Sequence, residues 1–96
     1  MPSDDVTISD RPDRKRYEIE FDGALAGVLT YEIRAGVITY RHTGIDPGQR
    51  RRGLGSWLVE FALDDARTRE LAVRPLCPFV AAFIEDHPEY SDLLAR

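Results

Sequence analysis

The chain has 96 residues, enough for one small domain, and 43% of them are apolar, so one core can form without staples. Seventeen acidic residues against 13 basic ones give a net charge of -4, which argues against a general nucleic-acid or membrane-surface binder. No run approaches the ~18 apolar residues of a membrane span, the N-terminus does not read as a secretory signal, and a single cysteine, Cys77, excludes an intrachain disulfide; a cytoplasmic protein is expected.

Residues 1–16 are polar, with two prolines and mixed charges, and predict a weakly ordered lead-in. Residues 17–96 predict one α+β domain. Tyr17-Glu18-Ile19-Glu20-Phe21 alternates with period 2, the pattern of a half-buried strand. Asp22-Gly23 is a hairpin signal. Residues 24–33 resume the sheet with Leu25, Leu29, Tyr31 and Ile33 on one face. Arg34-Ala35-Gly36 turns the chain again, and residues 37–43 make a third strand, with His42 on the face of Ile38 and Tyr40. Three strands joined by short turns predict an antiparallel meander.

The period then changes. Leu54, Trp57, Leu58, Phe61 and Ala62 follow helical spacing and predict a helix over residues 53–68. Residues 71–75 read as a buried strand. Pro78 suits a first helical position. Val80, Phe83, Ile84 and His87 line one face of a second helix, which Pro88 stops. Tyr90, Leu93 and Leu94 predict a docking tail. Trp57, Phe61, Phe79 and Phe83 are expected in the core. The predicted order is β-β-β-α-β-α.

The segment Arg50-Arg51-Arg52-Gly53-Leu54-Gly55 leads into the first helix. The first helical amides lack intrahelical partners, and the macrodipole adds partial positive charge. Glycines allow close approach, and three guanidiniums add full charges. Such a cradle suits a pyrophosphate. It is neither a Walker A loop nor a complete G-x-G-x-x-G.

Arg50, Gly53 and Gly55 resemble the Q/R-x-x-G-x-G/A signature of the GNAT superfamily of N-acetyltransferases. Cys77-Pro78-Phe79-Val80, His87-Pro88-Glu89-Tyr90 and His42-Thr43 are similar to segments of its minimal single-domain subfamily. The subfamily pattern has an acidic residue after His-Thr, where this chain has Gly44. The resemblance implies a minimal GNAT-like fold that uses acetyl-CoA and moves acetyl to an amine: a protein lysine, an N-terminus or a small amine. A non-catalytic coenzyme A or acyl-CoA binding module is the alternative. It further implies a strand that splays around residues 42–46, with a free amide near Ile45. Residues 50–56, that is Arg50, Arg51, Arg52, Gly53, Leu54, Gly55 and Ser56, are then expected to bind the cofactor together with Ile45. No nucleic acid and no membrane are expected as partners, and the chain is expected to be a monomer or weak dimer.

Cys77 precedes a helix N-terminus, which favours its thiolate. It is a candidate nucleophile or acid, or else a small buried apolar residue. His42 suits a general base or a structural role. His87 reads as a structural residue near a helix end. Two histidines and one cysteine without short spacing predict no metal site.

Overall fold

Four antiparallel strands and one parallel strand form a single sheet in the computed structural model, which describes residues 5–48 and 53–96. They are β1 (Val6–Arg11), β2 (Arg16–Phe21), β3 (Ala24–Arg34), β4 (Val37–Ile45) and β5 (Ala72–Pro75). Their spatial order is their chain order, and only β4 and β5 run parallel. That pair needs a crossover, which helix α1 (Leu54–Thr68) supplies. Helix α2 (Pro78–Asp86) follows β5. The expected α+β meander, helix, strand and helix are present.

The sheet starts earlier than expected. Val6 and Ile8 alternate with Thr7 and Ser9, and β1 pairs with β2 from Val6↔Phe21 to Arg11↔Arg16. The surrounding prolines and charges concealed this four-residue alternation in a reading of residues 1–16 as weakly ordered. Opposite the core face, Glu18 is buried. Its carboxylate meets Arg16 at 2.7 Å, Arg14 at 3.1 Å and Arg11 at 3.5 Å. Arg11 and Arg14 come from β1 and its turn, so the cluster ties the edge strand to β2. The Arg16 bond outweighs burial and holds the Glu18 carboxyl below its ordinary pKa, with Arg14 adding to it. A depressed pKa stabilises the fold above the unfolded value, and that gain disappears as pH falls through the folded value. Glu18→Gln is therefore expected to cost about 1 kcal/mol at neutral pH, since the guanidiniums are solvated. Denaturant curves of the two proteins should converge on acidification; a gap independent of pH would contradict the ion-pair account.

Both central hairpins turn on two residues with positive φ, Asp22 (52°) with Gly23 (79°) and Ala35 (53°) with Gly36 (78°). This is the type I′ geometry that matches strand twist. Two bulges alter the expected faces. Ile19↔Gly27 is followed by Glu20↔Leu25, so Ala26 is the extra residue and Leu25 turns outward, 49% exposed. Ile33, near the strand end, is also exposed. Tyr31↔Tyr40 is followed by Thr30↔His42, so Arg41 is extra. A one-residue shift moves every later side chain to the other face. His42 consequently leaves the face of Ile38 and Tyr40, while Thr43 and Ile45 take it.

The core comprises Tyr17, Ile19, Leu29, Ile38 and Tyr40 of the sheet under Leu54, Leu58, Val59, Ala62, Leu63 and Ala66 of α1 and Val80, Phe83 and Ile84 of α2. The buried stripe of α1 lies toward Val59 and Leu63, which leaves Phe61 38% exposed, with its edge on the Tyr17 ring. Tyr40 donates to the carbonyl of Ala62 at 2.7 Å and Tyr17 to Asp65 at 2.6 Å, so these buried hydroxyls are paired. After α2 a 3-10 turn (Pro88–Leu93) buries Tyr90 and Leu93. Ala95 then donates to Val73 at 2.8 Å, which covers the outer edge of β5. No described helix covers the opposite face of the sheet, which carries Glu32, Thr39 and Arg74.

Candidate active site

The site begins where β4 and β5 separate. Their pairing runs from Val37↔Ala72 to Tyr40↔Pro75. Pro75 ends the ladder, Leu76 bonds back to Arg74, and Cys77 N–H closes the last cross-strand bond to the Tyr40 carbonyl at 3.0 Å. Beyond it β4 continues to Ile45 with β3 on one side only.

Register determines which amides are released. Asp46 N–H donates to Ala26 at 2.8 Å. The bonds of an antiparallel ladder alternate, so positions 42, 44 and 46 face β3. Thr43 and Ile45 direct their backbone groups to the open side. This is the splay, and the outward amide at Ile45, that the GNAT resemblance implied.

Helix α1 starts beside this edge. Gly53 is its N-cap at φ 70° and ψ 18°, a left-handed conformation that glycine adopts without strain. Its carbonyl accepts the first helical bond from Trp57 at 3.2 Å. The amides of the first turn remain without intrahelical partners. Between strand edge and helix mouth lies a cleft of about 550 Å³. His42, Thr43, Gly44 and Ile45 form one wall, Gly53, Gly55 and Ser56 another, and Phe79 the third.

The glycines serve different ends. A Cβ at Gly53 would meet nothing within 4 Å, whereas one at Gly55 would lie 3.0 Å from Cζ of Phe79. Gly55 thus admits the Phe79 ring, and Gly53 supplies the backbone conformation. Leu54 is fully buried and offers the helix mouth only its backbone. Arg50, Arg51 and Arg52 lie outside the described residues.

Cys77 is the N-cap of α2 and is buried. Its Sγ lies 3.3 Å from the Thr43 hydroxyl. Burial pushes the thiol pKa up. The Thr43 hydroxyl and the amides of Val80, Phe79 and Thr43 outweigh it, and the net shift is downward. Cys77 is not itself a wall of the cleft; Thr43, which is, contacts it from the cleft side. His42 reaches the cleft from the other face of β4, its ring lying over Gly44. His87 is remote from this group. It stacks on Phe83 at 3.9 Å, and its Nδ1 bonds the Phe83 carbonyl at 2.8 Å. A carbonyl only accepts, so that bond holds the proton on Nδ1. Among the described residues, no three His, Cys, Asp or Glu groups are arranged around a metal position, and no helix is long and apolar enough to cross a membrane.

Phe79 was expected in the core, yet it is 44% exposed. Its position off the Val80, Phe83 and Ile84 stripe was the available signal. The contact of Thr43 with Cys77 had none, because 34 residues separate them.

A meander, a strand that parts from its parallel neighbour and a glycine-capped helix at the parting define a GNAT-type acyltransferase fold. The sequence model of the GCN5-related N-acetyl-transferase family matches residues 16–93, and the chain belongs to that family. No curated protein matches the chain at significant similarity. Among solved structures, a GCN5-like protein of Staphylococcus aureus determined by NMR superposes with a TM-score of 0.73 at 20% identity, over 97% of this chain and 91% of that one. Ard1 from Thermoplasma volcanium gives 0.58 at 21% identity, over 64% of this chain and 43% of that one. The ribosomal-protein-S18-alanine N-acetyltransferase from Escherichia coli gives 0.58 at 19% identity, over 75% and 42%. At these identities the likeness is one of fold, and the chain spans less than half of the latter two.

Proposed function

We propose that this protein transfers an acetyl group from acetyl-CoA to an amine. The observation that carries the reading is the open edge of β4, where the Ile45 amide faces a cleft that ends at the N-terminus of α1. An extended amide-bearing ligand lies along a strand edge as another strand would. A pyrophosphate suits the unpartnered amides and positive dipole at the helix mouth. Gly53 leaves that approach unobstructed, and Arg50, Arg51 and Arg52 are assigned to the same anion. Ser56 would add a hydroxyl donor.

Acetyl-CoA supplies a thioester whose carbonyl carbon accepts the amine. The new C–N bond forms as the C–S bond breaks. The amine loses one proton, and the departing thiolate gains one. His42 is assigned the first proton, directly or through water. Cys77 is assigned as the source of the second. A thiol with a depressed pKa gives its proton to an ordinary thiolate downhill. Its own anion is then held by the Thr43 hydroxyl and the surrounding amides. Because Thr43 lines the cleft and Cys77 does not, the hydroxyl is the natural relay, passing on one proton while accepting another.

The screening of Cys77 behind Thr43 also favours a second reading, a coenzyme A binding module without transfer. Two measurements separate the readings. Coenzyme A is expected to raise the melting temperature progressively with concentration, and thiol release from acetyl-CoA should depend on added amine. A melting shift without amine-dependent release would leave the binding module. No shift at millimolar ligand would remove both.

A further inference from the structure

On the helix-free face of the sheet, beside the point where β4 and β5 part, lies a second groove of about 410 Å³. Arg34, Arg41 and Arg74 line it with Glu32 as the one acid, over a floor that includes Thr39 and Leu76. This is a local excess of two positive charges on a chain of net charge -4. Arg41 already holds a carboxylate, that of Glu32, at 3.0 Å. Arg34 and Arg74 form no salt bridge among the described residues. Leu76 is 57% exposed, an apolar side chain without a partner.

The groove adjoins the site along the chain. Arg41 precedes His42, and Leu76 precedes Cys77. From position 37 to 41, β4 runs roughly 13 Å, the span of about four residues of extended peptide. The cations are distributed along that span on three adjacent strands, β3, β4 and β5, which suits carboxylates spaced along a chain. We propose that this groove docks an acidic polypeptide segment and delivers an amine from it to the split between β4 and β5.

The inference rests on the acetyl-transfer reading and names its acceptor class. Arg34 and Arg74 hold carboxylates that flank the reacting residue, and Leu76 packs on its apolar stem. The approaching amine reacts in its neutral form, as in any acyl transfer. The proton it sheds leaves toward His42.

The test reads binding directly, by fluorescence anisotropy of a labelled peptide rich in Asp and Glu that carries one lysine. A neutral peptide of equal length is the control. The acidic peptide is expected to bind more tightly than the control. Its affinity should fall about tenfold in the double variant Arg34→Glu/Arg74→Glu, as attraction at two solvated sites becomes repulsion. It should fall similarly in about 0.5 M salt, where the screening length is about 4 Å. Both arginines are exposed, so the variant should fold, which its melting curve checks, and its coenzyme A affinity should be unchanged. Equal binding of the neutral peptide, or no effect of charge reversal, would overturn the proposal. So would saturable binding of inorganic phosphate with none of the acidic peptide. Loss of amine-dependent thiol release with the peptide result intact would sink the transfer reading alone.

Discussion

Replacing Cys77 by alanine is expected to lower acetyl transfer by about 10²-fold, the usual contribution of a positioned acid or base, with coenzyme A affinity nearly unchanged. The thiol is walled off from the cleft by Thr43, so its loss removes a proton source rather than a ligand contact. Cys77→Ser should retain part of the activity, because a hydroxyl still bonds Thr43. Thr43→Val should lose activity comparably with the thiol present, since the relay is gone. The same substitution removes the largest influence that lowers the Cys77 pKa, so the pH midpoint of its alkylation should move upward. Incubation with acetyl-CoA alone separates a nucleophile from an acid: an acetyl adduct on Cys77, seen by mass spectrometry, would contradict the acid role. Full turnover in Cys77→Ala would return the residue to the core and leave the chemistry to His42, water and backbone amides.

Gly53→Val is expected to weaken coenzyme A binding by roughly tenfold or more. It should also destabilise the fold by about 1–2 kcal/mol, the cost of a left-handed conformation for a residue with a side chain. The cause is φ of 70° at the N-cap. Space is not limiting, since no atom lies within 4 Å of the added Cβ. A β-branched residue drives the N-cap away from this geometry and displaces the carbonyl that Trp57 bonds. The first-turn amides then lose their common direction. Gly53→Ala should show a milder version of both effects. Calorimetry that found unchanged affinity in the valine variant would detach this helix mouth from the cofactor.

The regular elements were legible because each announced itself locally. Asp22-Gly23 and Arg34-Ala35-Gly36 turn as read, and the 3.6-residue stripe from Leu54 found α1. Pro78 opens α2 as expected. What misled were features that depend on a partner strand. Val6–Arg11 is too short and polar to stand out, and becomes a strand because β2 offers its edge and Glu18 draws in Arg11 and Arg14. Leu25 and His42 were assigned to the wrong faces because a bulge is a property of pairing, which a single strand's alternation does not record.

The candidate site divides in the same way. By itself the sequence determined the order of elements from Tyr17 onward, the glycine signature at positions 53 and 55, the cysteine before Pro78 and the histidine before Thr43. Those depend on turn chemistry, capping and periodicity, all within a few residues of each other. Only the tertiary structure decided that Thr43 meets Cys77, that Phe79 leaves the core to rest on Gly55, and that the amide of Ile45 faces open space. These follow from one event, the parting of β4 from β5 after Tyr40 and Pro75. Its cause is geometric: the Leu76 amide, next in line to bond β4, turns back to the Arg74 carbonyl, and the bulge at Arg41 reverses the faces of the strand on the other side of the gap.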